Sequence, residues 1–367
     1  MRKYASLLIL AALAVQAAGE DAKKSWADSL KVKGDLRYRH EMIDEEGKDT
    51  RNRQRLRARL NAEATISEEL DAAIGLASGS EDPVSTNQDL GEAFSTKRIG
   101  LDLAYFDWHP EALGGLNLIG GKMKKPFVCV SDLVWDGDLN PEGAALQYKW
   151  DADALELLAN AGGFWVVERS ADDDTMLYAG QLAAKCKPAE GQQYLAGAGG
   201  YHFTEMEGRE LLVDPAKSFG NSTRDVAADG ATNKVYATDF SEIELFAEAK
   251  FAVGLPVRVY GQYVVNNEAD DLDTGYLAGV SLWNLGEPGT FQFDYSYRDL
   301  EKDAVVGAFT DSDSFGGGTD GRGHKFAASY QIAKNWQAGV SYLLNEKSVQ
   351  KGAKDYDRLQ VDLAAKF

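Results

Sequence analysis

The sequence predicts an all-β fold, a transmembrane antiparallel up-and-down β-barrel of about sixteen strands with short turns at one end and long loops at the other. Three observations lead there. Polar and apolar residues alternate with period two through segment after segment. The connections between these segments are alternately short and long, and no run is long and apolar enough for a spanning helix. A chain of this kind enters a membrane as strands.

The first element precedes the barrel. Residues 1–3 carry two positive charges, residues 5–15 form an apolar run, and Ala17, Ala18 and Gly19 are small. That order is a secretory signal peptide. The apolar run is shorter than the roughly 20 residues of a membrane helix, and acidic Glu20 and Asp21 follow where a stop-transfer sequence has basic residues. Residues 1–19 are therefore assigned to a signal peptide and 20–367 to the barrel. Removing Arg2 and Lys3 takes the net charge from −19 to −21, which argues against nucleic acid as a partner. Mean hydropathy is negative, as expected when half of each strand faces water.

In the first strand Leu30, Val32, Leu36, Tyr38 and Met42 share one parity, while Lys31, Lys33, Asp35, Arg37, Arg39 and Glu41 share the other. One face is apolar and the other wet, a separation that a helix could not produce. The second strand sets Leu56, Ala58, Leu60, Ala62, Ala64 and Ile66 against Arg53, Arg55, Arg57, Arg59, Asn61, Glu63 and Thr65. Comparable segments follow at 70–78, 97–108, 116–122, 142–150, 155–167, 175–186, 193–203, 238–252, 256–267, 274–284, 289–300, 323–332, 336–346 and 356–367.

Short connections include 67–69, 151–154, 254–255, 286–288 and 333–335, and long polar ones include 79–96, 124–141, 204–237, 301–322 and 347–355. An outer-membrane barrel sorts its loops in this way, with tight periplasmic turns and long outer loops. A soluble β-sandwich has no reason to do so. Trp108, Trp150, Trp283 and Trp336 fall beside the short turns, where an interfacial girdle places indole at the headgroup level. Tryptophans packed beneath the turns of a soluble protein would look the same. Trp165 lies at the opposite end of its strand. The last strand places Leu359, Val361, Leu363, Ala365 and Phe367 on one face and ends on an aromatic residue. It resembles the terminal strand that the assembly machinery of outer-membrane proteins reads. An even strand count leaves both termini on the periplasmic side, so that this strand closes against the first.

The passage Gly120-Gly121-Lys122-Met123-Lys124-Lys125-Pro126-Phe127 resembles the strand-to-loop passage, a glycine and a basic residue leading into Lys-x-Pro-Phe, of bacterial putative porins and, more distantly, of the phosphate-selective porins O and P. The resemblance extends over everything after the signal peptide. It implies a Gram-negative outer-membrane porin, a homotrimer whose water-filled pores let small hydrophilic solutes and ions diffuse passively, in contact with lipid and lipopolysaccharide and without a cofactor. It also implies that the third outer loop, here near 123–141, folds into the barrel and narrows the channel. The chain departs from the phosphate-selective pattern, because no dense cluster of arginines and lysines drawn from several strands is legible. It also lacks the coiled-coil amino-terminal segment and the peptidoglycan-binding repeat of other porin groups.

The strongest electrostatic feature is the basic ladder Arg53, Arg55, Arg57 and Arg59, flanked by Lys31, Lys33, Arg37 and Arg39 on the neighbouring strand. If odd positions face the lumen, these cations line one wall of a pore. Like charges at this spacing repel and need counter-charges. Two sources are open. Asp132, Asp136, Asp138 and Glu142 in or after the constricting loop would set a field across the channel, while Asp35, Glu41 and Glu63 on the same wall would simply hold it together. Lys122, Lys124 and Lys125 stand at the mouth of the constriction and could draw anions. Acidic clusters in the outer loops, 172–174, 270–271 and the pair Asp311 and Asp313 among them, read as solvated surface.

No metal, cofactor or catalytic site is assigned. Asp136-Gly137-Asp138-Leu139-Asn140 begins like a calcium loop but lacks its glycine and glutamate, and Gly316 to Gly321 is a single repeat that cannot stack. His40, His109, His202 and His324 lie near predicted strand ends or turns without a nucleophile motif, so no enzyme is expected. Cys129 and Cys186 read as two free thiols. Beside the diffusion porin stand two rivals: a channel specific for an anion or oligosaccharide, and an exported soluble β-rich ligand-binding protein.

Overall fold

The computed structural model describes residues 29–228 and 231–367; the signal peptide expected at 1–19 lies outside the described residues. Sixteen strands form one closed antiparallel barrel. They are β1 (Lys31–Glu45), β2 (Arg51–Ser67), β3 (Leu70–Ser78), β4 (Ile99–Trp108), β5 (Leu116–Lys122), β6 (Glu142–Ala152), β7 (Leu155–Val167) and β8 (Thr175–Cys186). The second half comprises β9 (Gln193–Phe203), β10 (Phe240–Ala252), β11 (Pro256–Asn266), β12 (Thr274–Leu282), β13 (Phe291–Leu300), β14 (Gly321–Ala333), β15 (Trp336–Lys347) and β16 (Lys354–Lys366). The strands expected from alternation are all present, with ends shifted by at most about three residues. Eight connections at one end, L1 to L8, span 46–50, 79–98, 123–141, 168–174, 204–239, 267–273, 301–320 and 348–353.

Closure pairs β1 with β16 from Asp35↔Lys366 to Glu45↔Tyr356. The terminal aromatic residue completes it. The Gly34 amide donates to the Phe367 carbonyl at 2.8 Å, and the Phe367 amide donates back at 3.0 Å. A Cβ on Gly34 would lie 2.5 Å from the Phe367 ring, so the seam requires glycine there.

Leu36, Tyr38, Ile74, Phe106, Leu182, Leu245, Phe293, Val340 and Leu363 stand exposed on the outer face, an apolar belt with the period of the pleat. Trp108, Trp150, Trp283 and Trp336 are exposed at the short-turn end, and Trp283 packs against Phe291 with ring centroids 5.1 Å apart. Trp165 is exposed towards the long-loop end.

Two local elements were not legible as strands. Gln88–Asp89 in L2 folds back on β2, with Asp89 opposite Arg55. L5 holds a hairpin, Thr223–Ala228 with Ala231–Tyr236. Its sequence cue was the Asp229-Gly230 dipeptide between two β-prone runs.

The interior is not uniformly wet. Met123, Leu133, Val134 and Trp135 of L3, Leu211 and Leu212 of L5, and Val305 and Val306 of L7 are buried against inward-facing Phe164, Leu177, Phe203, Phe240 and Val264. The inner loops thus build an apolar core against β7 to β13. The polar half of the interior lies along β16, β1 and β2.

Candidate functional site

Strand pairing assembles the ladder. Arg37 stands opposite Arg57 and Arg39 opposite Arg55, so the odd parity of both strands shares one face, and that face is the interior. Cations so placed repel each other, and carboxylates separate them. Asp35 sits between Arg57 and Arg59 at 2.9 and 2.7 Å. Glu41, fully buried, pairs with Arg53 and with Arg358 of β16. Asp362 of β16 takes a fork of two 2.7 Å hydrogen bonds from Arg39. Three further acids arrive from loops: Asp89 of L2 at 2.8 Å from Arg55, Asp138 of L3 at 3.2 Å from Arg59, and Asp313 of L7 at 2.8 Å from Arg358. Arg37 donates to the Asn87 side-chain oxygen at 2.7 Å and lies 3.9 Å from Asp362. Seven guanidiniums therefore meet six carboxylates. Both expected sources of counter-charge contribute.

The lysines of the ladder stand apart from the arginines. Lys33 pairs with Glu63 at 2.9 Å, Lys124 reaches the same carboxylate at 3.5 Å, and exposed Lys31 stands opposite Glu63 in register. Lys122 and Glu142 pair with each other at 2.9 Å. They share the parity of outward-facing Leu118 and Leu146 at the ends of β5 and β6, so the expectation that they flank a constriction is corrected to a position on the rim of the wall. The register, and with it the face, is set by the Leu116↔Tyr148 pairing below.

The wall grips L3 through its backbone. Gln181 of β8 accepts from the Val128 amide at 2.8 Å and donates to its carbonyl at 3.0 Å. Arg258 of β11 donates to the Val130 carbonyl at 2.7 Å, and Gln262 bonds Ser131. Glu244 of β10 holds this clamp by accepting from Tyr201 and Gln262. L7 then locks L3 from above. The Asp136 amide donates to the Phe309 carbonyl at 2.9 Å, and the Ser312 amide donates to the Asp136 carboxyl at 2.9 Å. Lys125 donates to the Asp136 carbonyl.

Asp132 meets Arg298 of β13, which also holds Asp311 at 3.0 Å, and Lys325 stands 3.7 Å away. Asp132 is thus held by β13 and β14, three and two strands from β16 at the edge of the ladder. Asp136 has no cation within ion-pair distance among the described residues; burial, and after it the Asp311 carboxylate, pushes it up to about 8. Of the four acids expected to face the ladder, Asp138 alone reaches it.

Beside the ladder, on the long-loop side, lies a cavity of about 750 Å³. Its lining includes Lys48, Arg51, Arg53, Arg55, Lys217, Lys347 and Arg358 against Glu45, Asp49 and Asp82. The histidines do not converge: His40 lies within β1 beside Gln54 at 2.7 Å, and His324 stacks on Tyr295. Cys129 in L3 and Cys186 at the end of β8 are free. Among the described residues no group of three or more His, Cys, Asp or Glu could hold a metal ion.

A family model described as "Putative porin" matches residues 43–232 and 225–367. The chain belongs to this porin family. It is an outer-membrane channel for passive diffusion. No curated protein sequence matches it. Among solved structures, the porin resembles Pseudomonas putida OprB at high pH (TM-score 0.62, 10% identity, 92% of this chain and 94% of the other). It also resembles Salmonella typhi OmpF in complex with daunomycin (0.56, 13%, 92% and 97%) and the trimer form of Vibrio cholerae OmpT (0.54, 12%, 93% and 100%). At such identities the likeness is one of fold.

Sequence reasoning missed several residues of the porin interior. Arg358, Gln360 and Asp362 carry the wet parity of β16 beside the apolar parity that marked the strand, and closure against β1 made them legible. Asp89 and Arg298 carried no local signal, because their partners lie far along the chain, and the reading of Asp311 and Asp313 as solvated loop surface is corrected: they pair with Arg298 and with Arg39 and Arg358 in the interior.

Proposed function

We propose that this porin passes small hydrophilic solutes and ions by diffusion along the polar half of its interior, without a chemical step, and that the ladder lines its path. The observation that carries this is the near balance of seven guanidiniums and six carboxylates on one wall. Fixed, paired charges order water and lower the barrier for polar solutes without binding one of them tightly. L3, clamped to the wall at Val128 and Val130, is the constriction in this reading. A homotrimer is proposed on the model of the trimer form of the Vibrio cholerae neighbour. The apolar belt and its tryptophans support contact with lipid and lipopolysaccharide, and residues 1–19 support export through the periplasm.

One observation favours a second reading, an anion-preferring channel: the 750 Å³ cavity carries seven cations against three acids in its lining. Planar-bilayer recording separates the two. Linear current for many ions supports general diffusion, and saturation by one anion supports the second reading. The double variant Arg55→Ala, Arg57→Ala moves the reversal potential toward cations if the ladder lines the path. An unchanged potential with lowered stability would leave the ladder a structural role only.

A further inference from the structure

Rung by rung, the ladder leaves one guanidinium without an acid. Arg39, Arg53, Arg55, Arg57, Arg59 and Arg358 each donate a hydrogen bond to a carboxylate. Among the described residues Arg37 donates to none. Its one side-chain hydrogen bond goes to the neutral Asn87 oxygen at 2.7 Å. The nearest carboxylate, Asp362, lies 3.9 Å away and already accepts two 2.7 Å bonds from Arg39. The Arg37 Nε is enclosed and meets no acceptor among the described residues.

Strand register is the cause. On β1, Arg37 stands opposite Arg57 of β2 and opposite Ala364 of β16, so neither neighbour in its rung is an acid. One rung to either side the pattern differs: Arg39 faces Asp362 across the closing seam, and Asp35 faces Arg59. Asp35 shares the face of Arg37 two residues away, but Arg57 and Arg59 occupy its carboxylate. The Arg37 side chain is 14% exposed, so water screens its charge less than that of a surface cation. Its rung also lies where two inner loops approach the ladder. Thr86 of L2 donates to Asp138 of L3 from its hydroxyl at 3.0 Å and from its amide at 3.3 Å, and Asn87, the next residue, holds Arg37.

An ion passing the ladder meets six guanidiniums whose fields are largely cancelled by carboxylates in contact with them, and a seventh whose field is not. Lys31, Lys33 and Lys124 also outnumber their shared Glu63, but Lys33 and Lys124 are 62% and 59% exposed, and water and salt screen them. We infer that Arg37 is the selectivity-determining residue of this porin, an uncompensated cation that favours small monovalent anions over cations of similar size. The inference rests on the reading that the ladder lines the path.

The test uses the full chain in planar bilayers, with the zero-current potential measured across a potassium chloride gradient. Arg37→Gln should lower the ratio of chloride to potassium permeability about three-fold, the factor for one unit charge about 6 Å from a passing ion in water at about 0.1 M salt. A second variant supplies the missing acid instead of removing the cation. Asn87→Asp should move the ratio the same way and by a similar factor, and raise the thermal midpoint by pairing with Arg37; in the Arg37→Gln background the same change should lower the midpoint. A merely structural Arg37 would change the midpoint and leave the potential where it was. Arg55→Ala, Arg57→Ala is the reference for the path. If the reference moves the potential and neither Arg37→Gln nor Asn87→Asp does, the inference fails and the reading of the ladder stands; a reference that leaves the potential unmoved overturns both. A midpoint lowered by Asn87→Asp in the original chain shows that Arg37 lacks no acid, and overturns the inference.

Discussion

Raising the pH should unlock L3 from L7 through one carboxyl group, Asp136. Its carboxyl accepts hydrogen bonds from the Asp138 amide at 2.7 Å and from the Ser312 amide at 2.9 Å. Burial, reinforced by the Asp311 carboxylate, outweighs those bonds and moves the group from 3.8 to about 8. The docked loop therefore holds a proton that the undocked loop would release. Docking strength is fully present below a pH of about 4 and is lost as the pH rises to about 8. One pH unit corresponds to about 1.4 kcal/mol, so the gap between 3.8 and about 8 sets an upper bound on the order of 6 kcal/mol. Water reaching the carboxylate as L3 lifts will reduce it. Hydrogen exchange on the intact protein in detergent reads the effect, with rates at Asp138 and Ser312 corrected for the intrinsic pH dependence of exchange. Protection should fall between about pH 4 and about pH 8 in the original chain, level off above that, and show no such fall in Asp136→Asn. An equal fall in the variant, or no fall in the original, would refute the reasoning.

Arg298→Met leaves Asp132 and Asp311 in the interior without their shared cation and should cost about 3–5 kcal/mol, read as a lowered thermal midpoint. Asp35→Asn removes the carboxylate between Arg57 and Arg59; the zero-current potential in a salt gradient should move toward anions, opposite to the shift expected of Arg55→Ala, Arg57→Ala. Gly34→Val drives a side chain into the Phe367 ring at the closing seam and should cost about 1–3 kcal/mol, seen as a smaller heat-resistant folded fraction on gel electrophoresis.

The sequence by itself determined the barrel. Alternation fixes which residues of a strand share a face, because the period of the pleat is two, and the sorting of loop lengths fixes which end carries turns. For that reason the strand from Leu155 to Val167 and the inward parity of Arg53 to Arg59 were legible from neighbours in the chain. The L5 hairpin was missed because its cue is a turn dipeptide inside a long polar loop.

What only the tertiary structure decided is which distant groups meet across the interior. Asp132 and Asp138 are six residues apart in L3, yet one pairs with Arg298 on β13 and the other with Arg59 on β2, five strands apart around the wall. Asp313 reaches Arg39 and Arg358 only because L7 crosses over L3. The apolar filling of half the interior was likewise beyond reach. Local periodicity specifies a face, but partners far apart in sequence are specified only by where the closed barrel and its packed loops bring them.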